Sequence, residues 1–342
     1  MENKNKAGLS MYKLKILISA LAFFITSAYG HHNWRQIYDI NTDIEIVGVI
    51  NSIEWRNPHI RVNFTVNSGT SEEQIYTTES NSVAALTRME LSPEILAPGT
   101  PVRVAGYRSR ISESDIFMTH LLLPGNREVE FMLDTKPRWP EAEALVNTTR
   151  VLGNLTEPDF SKRPTSIFGV WSTVFYSEGS HRALNNDPIQ WTEKGVEKNN
   201  ESININNPRI DPSCSPKPMP DVMGAPYPIQ IIDQGEIIII HAEEFDSIRE
   251  VHMNLPHDNA ETSSILGYST GRWIGETLSV ATTFGSKSGM QIQETFHLSD
   301  DHNRLLYSQV IIDPEMRSMP TINKKWWQYQ PGAFVQPYEC SY

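Results

Sequence analysis

The chain has few cysteines and no long apolar run, and both scarcities narrow its class. Of its 342 residues only Cys214 and Cys340 are cysteine. The two lie far apart, so C-x-x-C metal or redox chemistry is excluded. The longest apolar stretch, near the start of the chain, is shorter than the about 20 residues that a membrane-spanning helix needs.

Basic clusters are also missing, and the chain carries a formal net charge of −12. A nucleic-acid-binding protein needs clustered Lys and Arg to neutralise phosphates, so we expect no nucleic-acid partner. No H-E-x-x-H, P-loop or dinucleotide fingerprint occurs. "GYSTG" (267–271) lies between predicted strands, which argues against a serine nucleophile on a strand-to-helix turn. The sequence therefore names no reaction and leaves open whether the protein is an enzyme.

The first thirty residues have the three parts of an export signal. Four lysines precede the apolar stretch "ILISALAFFITSA" (16–28), which ends in the small residue Ala28. A second small residue, Gly30, follows two positions later. This pattern predicts cleavage after Gly30, a periplasmic or secreted protein, and no stable membrane span after cleavage. In an oxidising compartment Cys214 and Cys340 most simply form one disulfide, with two separate thiols as the alternative.

Alternating apolar and polar residues predict short strands along most of the chain. Two strands are expected within residues 42–66 and a third at "EEQIYTTE". A short helix follows at "SNSVAALTRMEL", with Ser80 or Asn81 as its N-cap, and then two more strands. This order is that of a small OB-like barrel. Beyond residue 166, consecutive strands with tight turns indicate an antiparallel barrel or sandwich.

Two groups of segments resemble known modules of exported bacterial proteins. "HHNWRQIYD" and "VGVINSIEWRNPHIRVNF" resemble a family of unknown function whose mature chains begin with a double histidine and carry a W-x-N-P-H turn in an OB-like barrel. "CSPKPMPDVMGAPYPIQII", "IREVHMNLPH", "GYSTGRWIGETLSV" and "YEC" resemble a lipocalin-like module. The resemblance implies a mainly β chain, an N-terminal OB-like small barrel followed by an antiparallel lipocalin-like barrel. Its expected parts are a signal peptide (1–30), an OB-like domain (31–123), a connector (124–165) and a lipocalin-like barrel (166–342).

The double histidine predicts a copper site if cleavage leaves His31 at a free amino terminus. Its amino and imidazole nitrogens can close a chelate ring on one metal, and such nitrogen donors suit Cu(II). His59 in the W-x-N-P-H turn is the expected third ligand, His32 is the alternative, and Asp39 is expected to orient a ring. The competing interpretation is an exposed terminus, with His59 as a turn residue that hydrogen-bonds a backbone carbonyl.

A lipocalin-like barrel encloses space for one small ligand. The candidate polar residues for that ligand are Arg249, His252, His257, Arg272, Glu276 and Glu294. Whether Arg249 faces inward depends on the register of its strand, and the alternative is an ion pair that only closes the barrel.

The sequence thus favours a cell-envelope binding protein for a small apolar or amphipathic ligand, with copper at the amino terminus as an added possibility. The alternative is an enzyme that acts on a small hydrophobic substrate in the C-terminal barrel by acid–base or hydrolytic chemistry. Neither the ligand nor the oligomeric state follows from the sequence.

Overall fold

Two β-sheets form the framework of the described chain, as the sequence predicts. A computed structural model describes residues 34–89, 91–132, 136–145, 163–173, 185–186, 188–202, 214, 216–256, 264–285, 289–329 and 334–340. The predicted signal peptide, His31, His32 and His257 lie outside these residues. The mainly β fold class is confirmed.

The first sheet contains a closed barrel of five strands. Its strand β3 pairs with β2 and also, in parallel, with β5, which gives the closed order β1-β2-β3-β5-β4 expected of an OB-like barrel. Alternate residues such as Val62, Phe64 and Val104 are fully buried inside it. The strands of the sheet are β1 (Tyr38–Glu54), β2 (Arg61–Val66), β3 (Gln74–Glu79), β4 (Pro101–Ser109), β5 (Asp115–Leu123), β6 (Arg127–Glu130) and β7 (Glu143–Ala144).

Part of the predicted connector joins this first sheet. β6 pairs with β5 and β7 pairs with β6, so the sheet continues beyond residue 123. Val129 in β6 is fully buried in the first core. Glu143 and Ala144, also within the predicted connector, form β7.

Within the described residues, three short helices and three 3-10 turns accompany the strands. The helix predicted after β3 is present, but its N-cap is Ser82, whose Oγ accepts a hydrogen bond from Ala85 N at 3.1 Å. Ser80 is instead bound by its hydroxyl to the carbonyl of Met118. The helices are α1 (Trp34–Ile37), α2 (Val83–Arg88) and α3 (Glu193–Ser202), and the 3-10 turns are Pro93–Leu96, Asp221–Gly224 and Glu244–Asp246.

The second sheet closes into a larger barrel of nine strands, with β9 as an extra edge strand. Closure is made by β17, which pairs with both β16 and β8. Its strands are β8 (Gly169–Ser172), β9 (Asn185–Asn186), β10 (Ile229–Asp233), β11 (Ile237–Ala242), β12 (Ser247–Met253), β13 (Tyr268–Ile274), β14 (Thr277–Thr283), β15 (Gln291–Leu298), β16 (Arg304–Ile312) and β17 (Thr321–Tyr329).

One junction of this barrel departs from the antiparallel pattern. β12 and β13 run parallel, whereas the other neighbouring strands of the barrel are antiparallel. The connection between Met253 and Tyr268 is long enough for the crossover that parallel neighbours require. Among the residues that the structure describes, every helix is too short or too polar to cross a bilayer.

The predicted disulfide is present and ties the chain end to a segment before the second barrel. Cys214 and Cys340 are bonded, with a Cα–Cα distance of 5.6 Å that fits ordinary disulfide geometry. The backbone of Asn57, in the first barrel, forms an isolated β-bridge with that of Cys340. The Nδ2 of Asn57 also donates to the carbonyl of Glu339 at 3.1 Å. The C-terminal segment therefore contacts the W-x-N-P-H turn.

Candidate functional site

A layer of polar side chains crosses the interior of the second barrel. Arg249 is 4 % exposed, whereas its neighbour Ile248 is 56 % exposed, so the arginine faces inward. Its Nη1 donates to Glu294 Oε1 at 3.0 Å, and its Nη2 contacts the second oxygen of that carboxylate. Arg249 and Glu294, predicted together as ligand-binding residues, form a buried bidentate ion pair.

The remaining donors of this arginine are used by the barrel itself. Its Nε donates to Ser269 Oγ at 2.9 Å and its Nη2 to Thr282 Oγ1 at 2.6 Å. Burial disfavours the charged guanidinium, but the carboxylate of Glu294 holds the pKa of Arg249 above its ordinary value. Ser269, the serine of "GYSTG", is thus a buried strand residue in this network and not a residue at a strand-to-helix turn.

The carboxylate side of the pair continues into a chain of neutral groups. Tyr307 donates its hydroxyl to Glu294 Oε1 at 2.7 Å, and Gln309 Nε2 donates to that hydroxyl at 2.9 Å. Asn323 Nδ2 in turn donates to Gln309 Oε1 at 3.3 Å. Burial raises the pKa of Tyr307 well above its ordinary value, so the phenol stays protonated as a donor. The layer is satisfied internally and organises the barrel core.

The other predicted ligand-binding residues do not join this layer. His252 lies on the alternate face of β12, and its ring stacks on Tyr268 with centroids 5.0 Å apart. Arg272 and Glu276 are exposed at the β13–β14 hairpin. His257 lies outside the described residues.

A lysine that the sequence analysis missed lies beside the same layer. Lys325 is opposite Tyr307 in the β16–β17 pair and therefore shares its inward face. Its Nζ donates to the carbonyl oxygens of Met223 at 3.0 Å and Ala225 at 3.4 Å, and lies 4.2 Å from the ring centroid of Trp327. Burial, with a smaller contribution from Lys217, lowers the pKa of Lys325 to about 7.

Two buried polar atoms near this lysine have no hydrogen-bond partner. Within the described part of the chain, Trp327 Nε1 and Thr173 Oγ1 are both unpaired, and the two residues are at most 1 % exposed. Gln328 pairs with Ser172, so Trp327 and Thr173 occupy the next register position of the β8–β17 junction. Unpaired buried polar atoms are costly and rare in proteins. In the sequence these residues stand in "NKKWWQY" (323–329). Either of the two alternating sets of side chains in that strand could face the interior of the barrel.

Replacing Lys325 with methionine should stabilise the chain at neutral pH. Because the folded state lowers this pKa to about 7 from an ordinary 10.5, the unfolded chain binds the proton more tightly. The free energy of unfolding therefore decreases as the pH falls from 10.5, the pKa in the unfolded chain, to about 7, the pKa in the folded chain. Below that pH it stays level. We expect the Tm of K325M to exceed that of the natural chain most at pH 7, with the gap narrowing by pH 10.

The matched control for this prediction is Lys324→Met, because Lys324 is the exposed neighbour on the opposite face. Scanning calorimetry at pH 7, 8.5 and 10 measures both variants. A gap that does not depend on pH, or an equal gap for K324M, would contradict the assignment of a buried, proton-losing lysine.

The proposed metal ligand His59 is held by a backbone carbonyl. Its Nδ1 donates to Ser80 O at 2.8 Å, and the same nitrogen lies 3.7 Å from Glu79 Oε1. That hydrogen bond leaves Nε2 as the lone-pair nitrogen. Asp39 does not orient this ring, since its carboxylate binds Arg110 at 3.0 Å and Asn41 at 3.1 Å. The described residues contain no group of three or more His, Cys, Asp or Glu placed to hold a metal ion.

The beginning of the described chain lies on the same side of the first barrel. The ring of Trp34 stacks on Phe117 with centroids 4.4 Å apart. Phe117 is the register partner of Glu79 in the β3–β5 pair, and Glu79 is the carboxylate beside His59. The segment just after the double histidine is therefore anchored near His59.

The W-x-N-P-H turn also borders a cleft. A space of about 470 Å³ lies between Trp55, Asn57 and α2 on one side and the C-terminal residues Phe334 and Pro337 on the other. The volume falls in the range of small-molecule sites. Two polar side chains on its walls are paired with neighbours: Arg56 with Glu54 at 2.7 Å, and Asn57 with the carbonyl of Glu339 at 3.1 Å.

Comparison with known proteins adds a family but no activity. Residues 20–116 match the model of a family described as "Family of unknown function (DUF6152)". The match covers most of the first barrel and the W-x-N-P-H turn. No curated protein matches the chain. The family match ends before the second barrel and its polar layer.

Proposed function

We propose that the protein is an exported binding protein of the cell envelope that holds a small amphipathic ligand inside its second barrel. The observation that carries the proposal is the pair of unpaired buried polar atoms, Trp327 Nε1 and Thr173 Oγ1, in a closed barrel. A bound molecule would supply the missing partners. The surrounding interior side chains, including Trp171, Leu278 and Phe296, are apolar and suit a hydrocarbon part.

The enzyme alternative has weaker support from the same barrel. Acid–base chemistry needs a proton donor or acceptor that reaches the substrate. Arg249 and Glu294 are instead saturated by each other and by Ser269, Thr282 and Tyr307. A binding role needs no such reactive group, and we therefore favour it.

A ligand screen with one interior and one exterior variant tests the binding proposal. Apolar and amphipathic compounds are added to the processed chain after refolding, and those that raise the Tm are titrated by calorimetry. Thr173→Val should change the affinity of a bound compound by about 2- to 10-fold, because a single hydrogen bond is at stake. Thr295→Val, on the exposed face of β15, should leave it unchanged. Failure of every compound, or equal effects of the two variants, would contradict the proposal.

A second candidate function is copper binding at the processed amino terminus of the exported chain. The favouring observation is the hydrogen bond from His59 Nδ1 to the carbonyl of Ser80. Histidines that bind a metal through one ring nitrogen commonly donate the other to a carbonyl or carboxylate. Trp34, three residues after His31 in the sequence, stacks on Phe117, whose register partner Glu79 lies beside His59. His31 would supply its amino and ring nitrogens, and His59 or His32 the third donor.

Copper affinity should depend on the free amino group of His31. A chain with one extra residue before His31 should bind Cu(II) far more weakly, because an amide nitrogen is a poor donor. His59→Ala should also weaken binding, and acid should release the metal as the imidazoles protonate. Electron paramagnetic resonance of the Cu(II)-loaded chains reports the number of nitrogen ligands.

The control for His59→Ala is His302→Ala. The Nδ1 of His302 likewise donates to a backbone carbonyl, that of Pro164 at 3.0 Å, but it lies on a turn of the second barrel. Equal copper affinity in the extended and the unextended chains would refute the site. Equal loss in H59A and H302A would show that His59 has only a structural role.

A further inference from the structure

Lys325 is a cation without a matching carboxylate in the interior of the second barrel. Among the described residues, no Asp or Glu oxygen lies within 4.0 Å of its Nζ, whose partners are two backbone carbonyls and the face of Trp327. Lys217, whose positive charge helps to lower the pKa of Lys325, is itself paired with Glu244 at 2.9 Å. A poorly solvated charge is expensive unless an opposite charge and hydrogen bonds compensate it.

Arg249, the buried arginine of the layer, does have a carboxylate partner. Arg249 has the carboxylate of Glu294 as a bidentate partner. Both side chains are held by further hydrogen bonds from the barrel wall. Of these two cations, Lys325 is the one that has no carboxylate partner among the described residues.

The indole N–H of Trp327 lies next to this cation. The ammonium lies over the face of the indole that carries Nε1, 4.2 Å from the ring centroid, so the two donors are close neighbours. Nε1 has no partner within the described chain and the side chain is fully buried. An indole nitrogen is a donor only, so the missing partner must be an acceptor.

We propose that Lys325 and Trp327 bind the carboxylate of a monoanionic amphiphile, whose apolar part lies among the aliphatic and aromatic side chains of the barrel. One lysine balances one negative charge, and a carboxylate has two oxygens that accept from the ammonium and the indole together. The segment Met219–Ala225, which provides the two carbonyl contacts of Lys325, also buries Met219, Val222 and Met223 in the core of this barrel. The inference rests on the proposed binding function and names the chemical class of its ligand.

The test compares dodecanoate with dodecan-1-ol, which has the same chain but no charge. Calorimetric titration of the processed full chain should give tighter binding of dodecanoate. K325M should weaken dodecanoate binding by about 10- to 100-fold, because a charge-assisted contact is lost, and should leave dodecan-1-ol binding unchanged. Trp327→Phe, which keeps the ring and removes the N–H, should cause a smaller loss for dodecanoate only.

Three controls separate the possible failures. K324M should bind both compounds as the natural chain does, and thermal melts show whether each variant folds; Lys325→Gln replaces K325M if that variant does not. Equal dodecanoate affinity in K325M and the natural chain overturns the carboxylate site while leaving the binding function intact. Binding of neither compound to the natural chain overturns the inference and counts against an amphipathic ligand altogether.

Discussion

Arg249→Met is expected to lower the free energy of unfolding by about 3–5 kcal/mol, because it leaves the carboxylate of Glu294 buried without its counter-ion. Glu294→Gln should destabilise by a similar amount for the converse reason. The double variant Arg249→Met with Glu294→Gln should be clearly more stable than the sum of the single changes predicts, since it removes both buried charges. Urea denaturation of the four chains measures the coupling.

The matched control is Arg272→Met. Arg272 belongs to the same barrel and was predicted for the same site, but its side chain is exposed at the β13–β14 hairpin. A surface change of this kind usually alters stability by no more than about 0.5 kcal/mol. Similar losses in R249M and R272M, or additive effects in the double variant, would show that the Arg249–Glu294 pair is not a buried, coupled unit.

Removal of the disulfide has the second large expected effect. Replacing Cys214 and Cys340 with serine should lower the free energy of unfolding by about 2–4 kcal/mol, since the bond closes a loop with a sequence separation of 126. The change should also free the C-terminal segment that joins both barrels. In that segment the backbone N of Gln336 donates to Glu243 at 2.9 Å, and that of Tyr338 to Asp246 at 2.9 Å.

The same measurement has an internal control. A reductant should destabilise the natural chain to the level of the double serine variant and should not change the variant itself. Arg88 of α2, which pairs with the buried Glu243, provides a separate contact between the barrels that the reductant leaves in place. A reductant effect on the serine variant, or none on the natural chain, would contradict the expected role of the bond.

Much of the fold follows from local sequence patterns. The alternation of apolar and polar residues through Ile44, Ile46, Val49 and Ile53, repeated in "HIRVNFTV", was enough to predict β1 and β2, and the helix α2 was predicted within a few residues. The N-cap was placed wrongly because Ser80, Asn81 and Ser82 are all good caps. Only tertiary contacts decide which of them is free to cap, and Ser80 is used by Met118.

The polar layer was half predictable. Arg249 and Glu294 were named as candidates, but whether Arg249 faces inward depends on strand register, which the neighbouring Ile248 and Val251 leave undecided. Lys325 was missed because charged residues are rarely placed in a core from sequence alone. Its position becomes visible only through its pairing with Tyr307 across β16 and β17. The parallel β12–β13 pair was missed because the alternation of apolar and polar residues in a strand carries no information on its direction relative to its neighbour.

Native mass spectrometry of the processed protein, purified from the cells that make it, tests the central claim most directly. The account predicts one small amphipathic acid per chain, retained under native conditions and released on unfolding. The same acid should be absent from K325M and present in K324M. A natural chain that carries no small molecule, or a K325M chain that retains the same molecule equally well, would contradict the account.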